Sequence, residues 1–217
     1  LGVCSVRPVE MARAFSVIAS SGKEITPMAI RTVEDRNGNV ILNPEREIRE
    51  AQQAKGEAYQ LISPQTAFVM EKILQETVSG PGTLSVQSWK FDFKDEKGKR
   101  YSIAAGGKTG TTQNWADAWT VGFTPYNTSA FWFGFDKPGQ SLGLKITGAT
   151  LAGFAWGDYM REIHRGLPAK DFAKPAEGVF QATVCSVSGK IPTAECGSHT
   201  KTLWFLAGTQ PTEICPV

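Results

Sequence analysis

Residues 106–125, GGKTGTTQNWADAWTVGFTP, constrain the fold more than any other part of this chain. β-Branched Thr109, Thr111 and Thr112 follow the lysine, and an apolar, aromatic run begins at Ala118; both segments suit extended backbone. Gly107-Lys108-Thr109 has the ending of a phosphate-binding loop, but such a loop opens with another glycine, and Ser102 stands at that position. The loop should also lead into a helix, whereas Thr109-Gly110-Thr111-Thr112 offers a glycine and branched residues there. A nucleotide site is therefore set aside.

Extended runs continue on both sides. Residues 89–112 read as two strands around Lys97-Gly98-Lys99, and 118–136 as two more around Pro125-Tyr126-Asn127. Turns this short imply antiparallel neighbours. Upstream, residues 8–20 carry apolar positions at three- and four-residue spacing after Pro8, which predicts a helix stopped near Gly22. Asn37-Gly38 marks a hairpin, and the polar stretch 43–58 reads as a surface linker. Ser63 and Pro64 open a helix over 63–79 with Phe68, Val69, Ile73 and Leu74 on one face. A last helix runs from 149 with Gly166 and Pro168 beyond its end, and His164 on it is expected on the surface. The sum is an α+β fold, helices packed on an antiparallel sheet over residues 1–170, with a small β-type extension over 171–217.

With 41% hydrophobic residues, 20% charged and a net charge of +2, composition suggests neither disorder nor a nucleic-acid surface. No apolar stretch approaches the roughly 18 residues that cross a bilayer. Leu1-Gly2-Val3 has neither an initiator Met nor the regions of a signal peptide, so the chain is expected to be a mature or excised piece.

The cysteines are Cys4, Cys185, Cys196 and Cys215. None forms a Cys-x-x-Cys pair and the two histidines are scattered, so no metal or cofactor is expected. Ser188-Gly189 and Pro192 read as a turn that lets Cys185 and Cys196 face each other in a disulfide, without excluding other pairings with Cys215. Closing such a loop contributes about 3 kcal/mol on the chain-entropy estimate. It favours an oxidising, extracytoplasmic location.

Lys-Thr-Gly at 108–110 is one of the motifs shared by β-lactamases and penicillin-binding proteins. Together with DAWTVGFTP at 117–125, it resembles the transpeptidase domain of penicillin-binding proteins. EMARAFSVIASSGKEITPMAIRTVEDRNGNVI, ISPQTAFVMEKILQETVSGPGT and the cysteine-bearing tail resemble the class A, bifunctional members, over nearly the whole chain. The resemblance implies acyl transfer through a serine, from stem peptides ending in D-Ala-D-Ala into a cell-wall cross-link, with β-lactams acylating the same serine. It also implies a location outside the cytoplasmic membrane, an anchoring N-terminal segment, and a glycosyltransferase domain upstream.

The residue types suit that chemistry. Lys108 supplies a fixed cation, the hydroxyls of Thr109 and Thr111 suit a terminal carboxylate, and Gly110 leaves room for a peptide to add as a strand. Thr112 completes the docking run. The family places one oxyanion donor at the backbone N–H of Thr111. Trp115 and Trp119 read as packing residues, and Asp117 as a brace for the strand connection.

The serine itself is missing. Ser-x-x-Lys must lie on a helix to bring both side chains to one face. Ser20-Ser21-Gly22-Lys23 straddles a helix stop, and Ser198-His199-Thr200-Lys201 lies in the tail. No Ser-x-Asn occurs. The expectation is a C-terminal portion of a transpeptidase domain, inactive alone and completed by an upstream segment or a complementary chain. A non-catalytic β-lactam sensor or scaffold of the same fold is the alternative; a β-lactamase fits the extension less well.

Overall fold

The computed structural model describes residues 4–137 and 139–216. Helix α1 (Pro8–Ala19) begins where Pro8 fixes the first turn and the Arg7 N–H donates to the Glu10 carboxylate at 2.8 Å. It stops at Gly22, whose φ of +86° favours glycine and where a Cβ would lie 2.0 Å from the Ile62 carbonyl oxygen. Strands β1 (Val33–Glu34) and β2 (Val40–Leu42) form the expected hairpin; the Asp35 carboxylate accepts from the N–H groups of Asn37 and Asn39 in its turn.

Residues 43–58 are not a linker. They form helix α2 (Pro44–Ala54) and a 3-10 turn over Gly56–Tyr59. The Asn43 side chain accepts from the Arg46 N–H at 2.9 Å, Pro44 follows it, and Glu45 and Glu47 sit in the first turn, a complete set of start signals. No residue of α2 is buried, so an argument from apolar period cannot see it.

Helix α3 (Pro64–Ser79) starts as expected, with Ser63 Oγ accepting from the Thr66 N–H. Its buried stripe is Ala67, Phe68, Glu71, Leu74 and Val78, whereas Ile73 turns to solvent. The strand region divides into two sheets. β3 (Asp92–Lys94) and β4 (Arg100–Ser102) pair alone, while β5 (Gly106–Thr111), β6 (Ala118–Phe123) and β7 (Thr128–Phe133) form an antiparallel sheet in that order.

Helices cover both faces of this sheet. Phe15 of α1 and Leu74 of α3 meet Phe123 on one side. On the other, a π-helical turn (Gly148–Ala152) leads into helix α4 (Gly153–Ile163), whose Trp156 joins Leu84, Phe91 and Met160 in the larger core. Gly122 makes this approach possible, since a Cβ there would stand 2.2 Å from the Trp156 ring. The arrangement is α+β, as expected.

His164 is a correction. It is fully buried: Nδ1 faces the Met160 carbonyl at 2.6 Å and Nε2 faces Thr124 Oγ1 at 2.7 Å, with the Phe91 and Tyr126 rings edge-on. Burial holds its pKa below the usual histidine value. The spacing Trp156, Met160, His164 was the available signal, a four-residue ladder on one helix face. The charged neighbour Arg165 obscured it.

In the extension, β8 (Val179–Cys185) and β9 (Thr200–Leu206) form an antiparallel hairpin packed on α3. The Phe68 and Trp204 rings meet edge to face at 5.0 Å, and Lys201 pairs with Glu76 at 2.6 Å.

Candidate active site

Among the described residues β5 is an edge strand, and its hydrogen bonds fix which groups look outward. The Thr112 N–H donates inward to the Asp117 carbonyl at 3.2 Å. Backbone groups alternate along a strand, so the N–H of Thr111 points away from β6. The carbonyls of Gly107 and Thr109 agree with that phase. The first accepts from Thr77 Oγ1 at 2.8 Å and the second from Lys108 Nζ at 2.6 Å, neither a donor from the sheet. Helix α3 therefore closes the start of the edge, and the part around Thr109 and Thr111 stays open.

Side chains alternate too, and they divide the residues of the Lys-Thr-Gly run. Lys108 and Gly110 share one face; Thr109 and Thr111 share the other with Gly107 and their cross-strand partners Thr120 and Ala118. The Lys108 ammonium is exposed and folded back over the edge. Gly110 needs no room for the fold: a Cβ would meet only Trp119 Cβ, at 3.4 Å. Thr111 Oγ1 accepts from the Gly148 N–H at 2.9 Å, which leaves its own proton for an outside acceptor.

The remaining two hydroxyls are bonded within the chain. Thr109 Oγ1 bonds Thr83 Oγ1 at 2.9 Å. Thr112 Oγ1 donates to Asp117 Oδ2 and accepts from the Asp117 N–H, both at 2.8 Å. Asp117 Oδ1 accepts from Trp132 Nε1 at 2.9 Å, so its carboxylate braces the connection between β5 and β6. Trp119 packs against Trp132, and the Trp115 carbonyl accepts from the Leu142 N–H. Asn114 and Trp115 both have positive φ, at 56° and 52°, so the connection turns sharply.

Sequence reasoning missed Gly148. Its N–H holds Thr111, its carbonyl accepts from Thr120 Oγ1 at 2.9 Å, and a Cβ on it would stand 2.4 Å from the Gly110 carbonyl oxygen. Only glycine lets the π-helical turn rest against β5. No local pattern in "ITGAT" announces a contact with a strand so far upstream.

Neither Ser-x-x-Lys match lies on a helix. Ser20 caps α1, Ser21 has φ 56° and Gly22 is left-handed, so Lys23 does not follow Ser20 around a helical turn. Ser198 follows the turn at Gly197, and Lys201 lies on β9 paired with Glu76. Cys185 and Cys196 meet, as free thiols, and Cys215 joins them.

Two family models match this chain: "Penicillin binding protein transpeptidase domain" over residues 1–152 and "Penicillin-binding protein 1A, C-terminal domain" over residues 175–217. The chain is 32% identical over 218 residues to penicillin-binding protein 1A of Clostridium tetani, covering 99% of this chain and 25% of that protein. It thus spans about a quarter of that relative. Among solved structures, penicillin-binding protein 1A from Haemophilus influenzae shares the fold with a TM-score of 0.79 at 24% identity, over 99% of this chain and 34% of that one. The PonA1 protein from Mycobacterium tuberculosis, in complex with penicillin V, matches with a TM-score of 0.51 at 25% identity, over 79% of this chain and 42% of that one.

Proposed function

Because this chain belongs to the penicillin-binding protein transpeptidase family, we propose that it supplies the substrate-docking half of a peptidoglycan D,D-transpeptidase and that the nucleophilic serine lies outside these 217 residues. The observation that carries this reading is the open edge of β5, where the outward N–H of Thr111 and the ammonium of Lys108 border the same rim. A stem peptide ending in D-Ala-D-Ala adds along that edge as a further strand. The free proton of the Thr111 hydroxyl receives its terminal carboxylate, and Lys108, folded over the edge beside the Thr109 carbonyl, supplies a nearby fixed cation.

The serine oxygen, supplied by a segment or chain carrying Ser-x-x-Lys and Ser-x-Asn, attacks the penultimate carbonyl. Negative charge develops on the carbonyl oxygen, and the Thr111 N–H is one of the two donors that stabilise it. The C–N bond to the last residue breaks, D-Ala leaves with a proton on its amine, and an amine from a neighbouring peptide then displaces the serine. A β-lactam follows the first half only: its ring C–N bond opens and the acyl-serine persists. Thr109, Gly110 and Thr112 shape the strand on which this happens, Gly110 by its missing side chain.

The reaction belongs outside the cytoplasmic membrane, with an anchor in another part of the protein. Among the described residues no helix is long and apolar enough to cross a membrane. Labelling the full-length protein with fluorescent penicillin and mapping the acylated peptide by mass spectrometry tests the proposal. The label should fall on a serine outside these residues. Stable acylation of Ser20 or Ser198 would overturn it.

A further inference from the structure

The hairpin extension ends in a buried cluster composed of three cysteines alone, Cys185, Cys196 and Cys215, each 5% exposed or less. Their sulfurs all lie within 4.8 Å of one another. From this geometry we propose that the three thiolates bind one zinc ion and that the metal takes the place of an apolar core at this end of the hairpin.

Three separate pieces of backbone deliver the ligands. Cys185 closes β8 and opens a tight turn in which the Gly189 N–H donates to the Cys185 carbonyl and the Cys185 N–H to the Lys190 carbonyl, both at 2.8 Å. Gly189 has φ +74°, which lets this turn close. The N–H groups of Val187 and Ser188 point at the Cys185 sulfur, the arrangement that holds a thiolate in a metal-binding knuckle. Cys196 sits in a single 3-10 turn, with the Thr193 N–H 3.4 Å from its sulfur. Cys215 arrives on the C-terminal segment, which pairs with Ile191 through two backbone hydrogen bonds, Ile191 N–H to Glu213 and Cys215 N–H to Ile191.

Zinc–sulfur bonds of about 2.3 Å in a tetrahedral site place sulfurs roughly 3.8 Å apart. The observed spacing needs only a small contraction. A disulfide uses two of the three thiols and strands the third in a dry pocket, whereas a metal uses all three. Binding takes all three sulfurs as thiolates, releases the protons they still carry, and leaves one coordination position, which falls to a water. Ser188 Oγ stands 3.2 Å from Cys215 Sγ and donates to it as an outer partner. Among the described residues the buried cluster at this tip holds cysteines only, and a unit this small is the kind that needs such a staple.

The test uses the full-length protein purified anaerobically under reducing conditions. Zinc content should be one ion per chain. Cobalt(II) in its place should show sulfur-to-metal charge-transfer absorption, and zinc should shield Cys185, Cys196 and Cys215 from alkylation while Cys4 reacts. Cys215→Ser should abolish the absorption, and Ser188→Ala should weaken zinc binding about 10- to 100-fold. The shielding measurement needs no variant, so a variant that fails to fold does not blunt it. A stable disulfide between any two of the three, in protein taken from cells without reductant, overturns the proposal. So does alkylation of all four thiols at the same rate with zinc present.

Discussion

Gly110→Ala in the full-length protein separates docking from folding. Gly110 is not left-handed, and a Cβ would meet only Trp119 Cβ at 3.4 Å, an ordinary contact. The fold should therefore accept alanine and gain about 0.4–1 kcal/mol, because the unfolded chain loses glycine's freedom. The methyl group would project on the Lys108 face, beside the peptide side chain that an added strand places on that same face. Overpacking a close contact costs about 1–3 kcal/mol, which corresponds to roughly a 5- to 150-fold fall in acylation rate. Second-order acylation by fluorescent penicillin, measured beside the melting temperature, reads both quantities. The expected result is slower acylation with an unchanged or raised melting temperature. Acylation within about twofold of wild type would refute docking along this edge, and a clear drop in melting temperature would mean the glycine serves internal packing. Gly122→Ala is the contrasting case: its Cβ would stand 2.2 Å from the Trp156 ring, so that variant should lose stability.

Thr111→Val keeps the outward N–H but removes the acceptor for the Gly148 N–H and the free hydroxyl proton. Stability should fall by about 1 kcal/mol; penicillin acylation should slow more than acylation by an analogue without the carboxylate, and Thr111→Ser should restore the difference. Glu71 is 2% exposed on α3, and burial raises its pKa from the ordinary 4.5 to about 8. The folded state thus holds a proton that the unfolded state releases, so stability should decline by about 1.4 kcal/mol per pH unit as pH rises from 4.5 towards 8. Glu71→Gln should flatten that decline in urea titrations at pH 5, 6.5 and 8. His164 has the opposite sign, since burial lowers its pKa. Stability tied to its neutral ring should be lost as pH falls below about 6.5, and His164→Gln should remove that acid dependence.

Local chemistry explains what was readable in the residues. Ser63 with Pro64, Pro8, and Asn37-Gly38 each act within one turn of backbone, and each element stands where those signals place it. That residues 106–111 form a strand was legible for the same reason, since the β-branched threonines around Lys108 suit extended backbone. What was not legible depends on contacts between distant residues. The bonding of the Thr109 and Thr112 hydroxyls depends on Thr83 and on Asp117 beyond a left-handed corner. Gly148 matters because of a strand nearly forty residues upstream, and Cys215 meets Cys185 only through its pairing with Ile191. Helix α2 is the exception: its capping signals were local and complete, and went unread because no apolar stripe accompanied them.

The extension and the docking strand are tied to adjacent residues of one helix. Lys201 of β9 holds Glu76, and the next residue, Thr77, donates to the Gly107 carbonyl at the start of β5. One turn earlier the α3 backbone at Leu74 and Gln75 lies against Gly106, so closely that a Cβ there would stand 3.1 Å away. Backbone packed on backbone has no side chain to absorb a displacement, so a shift of α3 must move β5. The hairpin limits such shifts by gripping α3 at two points, through Trp204 on Phe68 and Lys201 on Glu76. The extension thus holds the helix that packs on the start of β5, and Lys108 follows directly after the contact at Gly107.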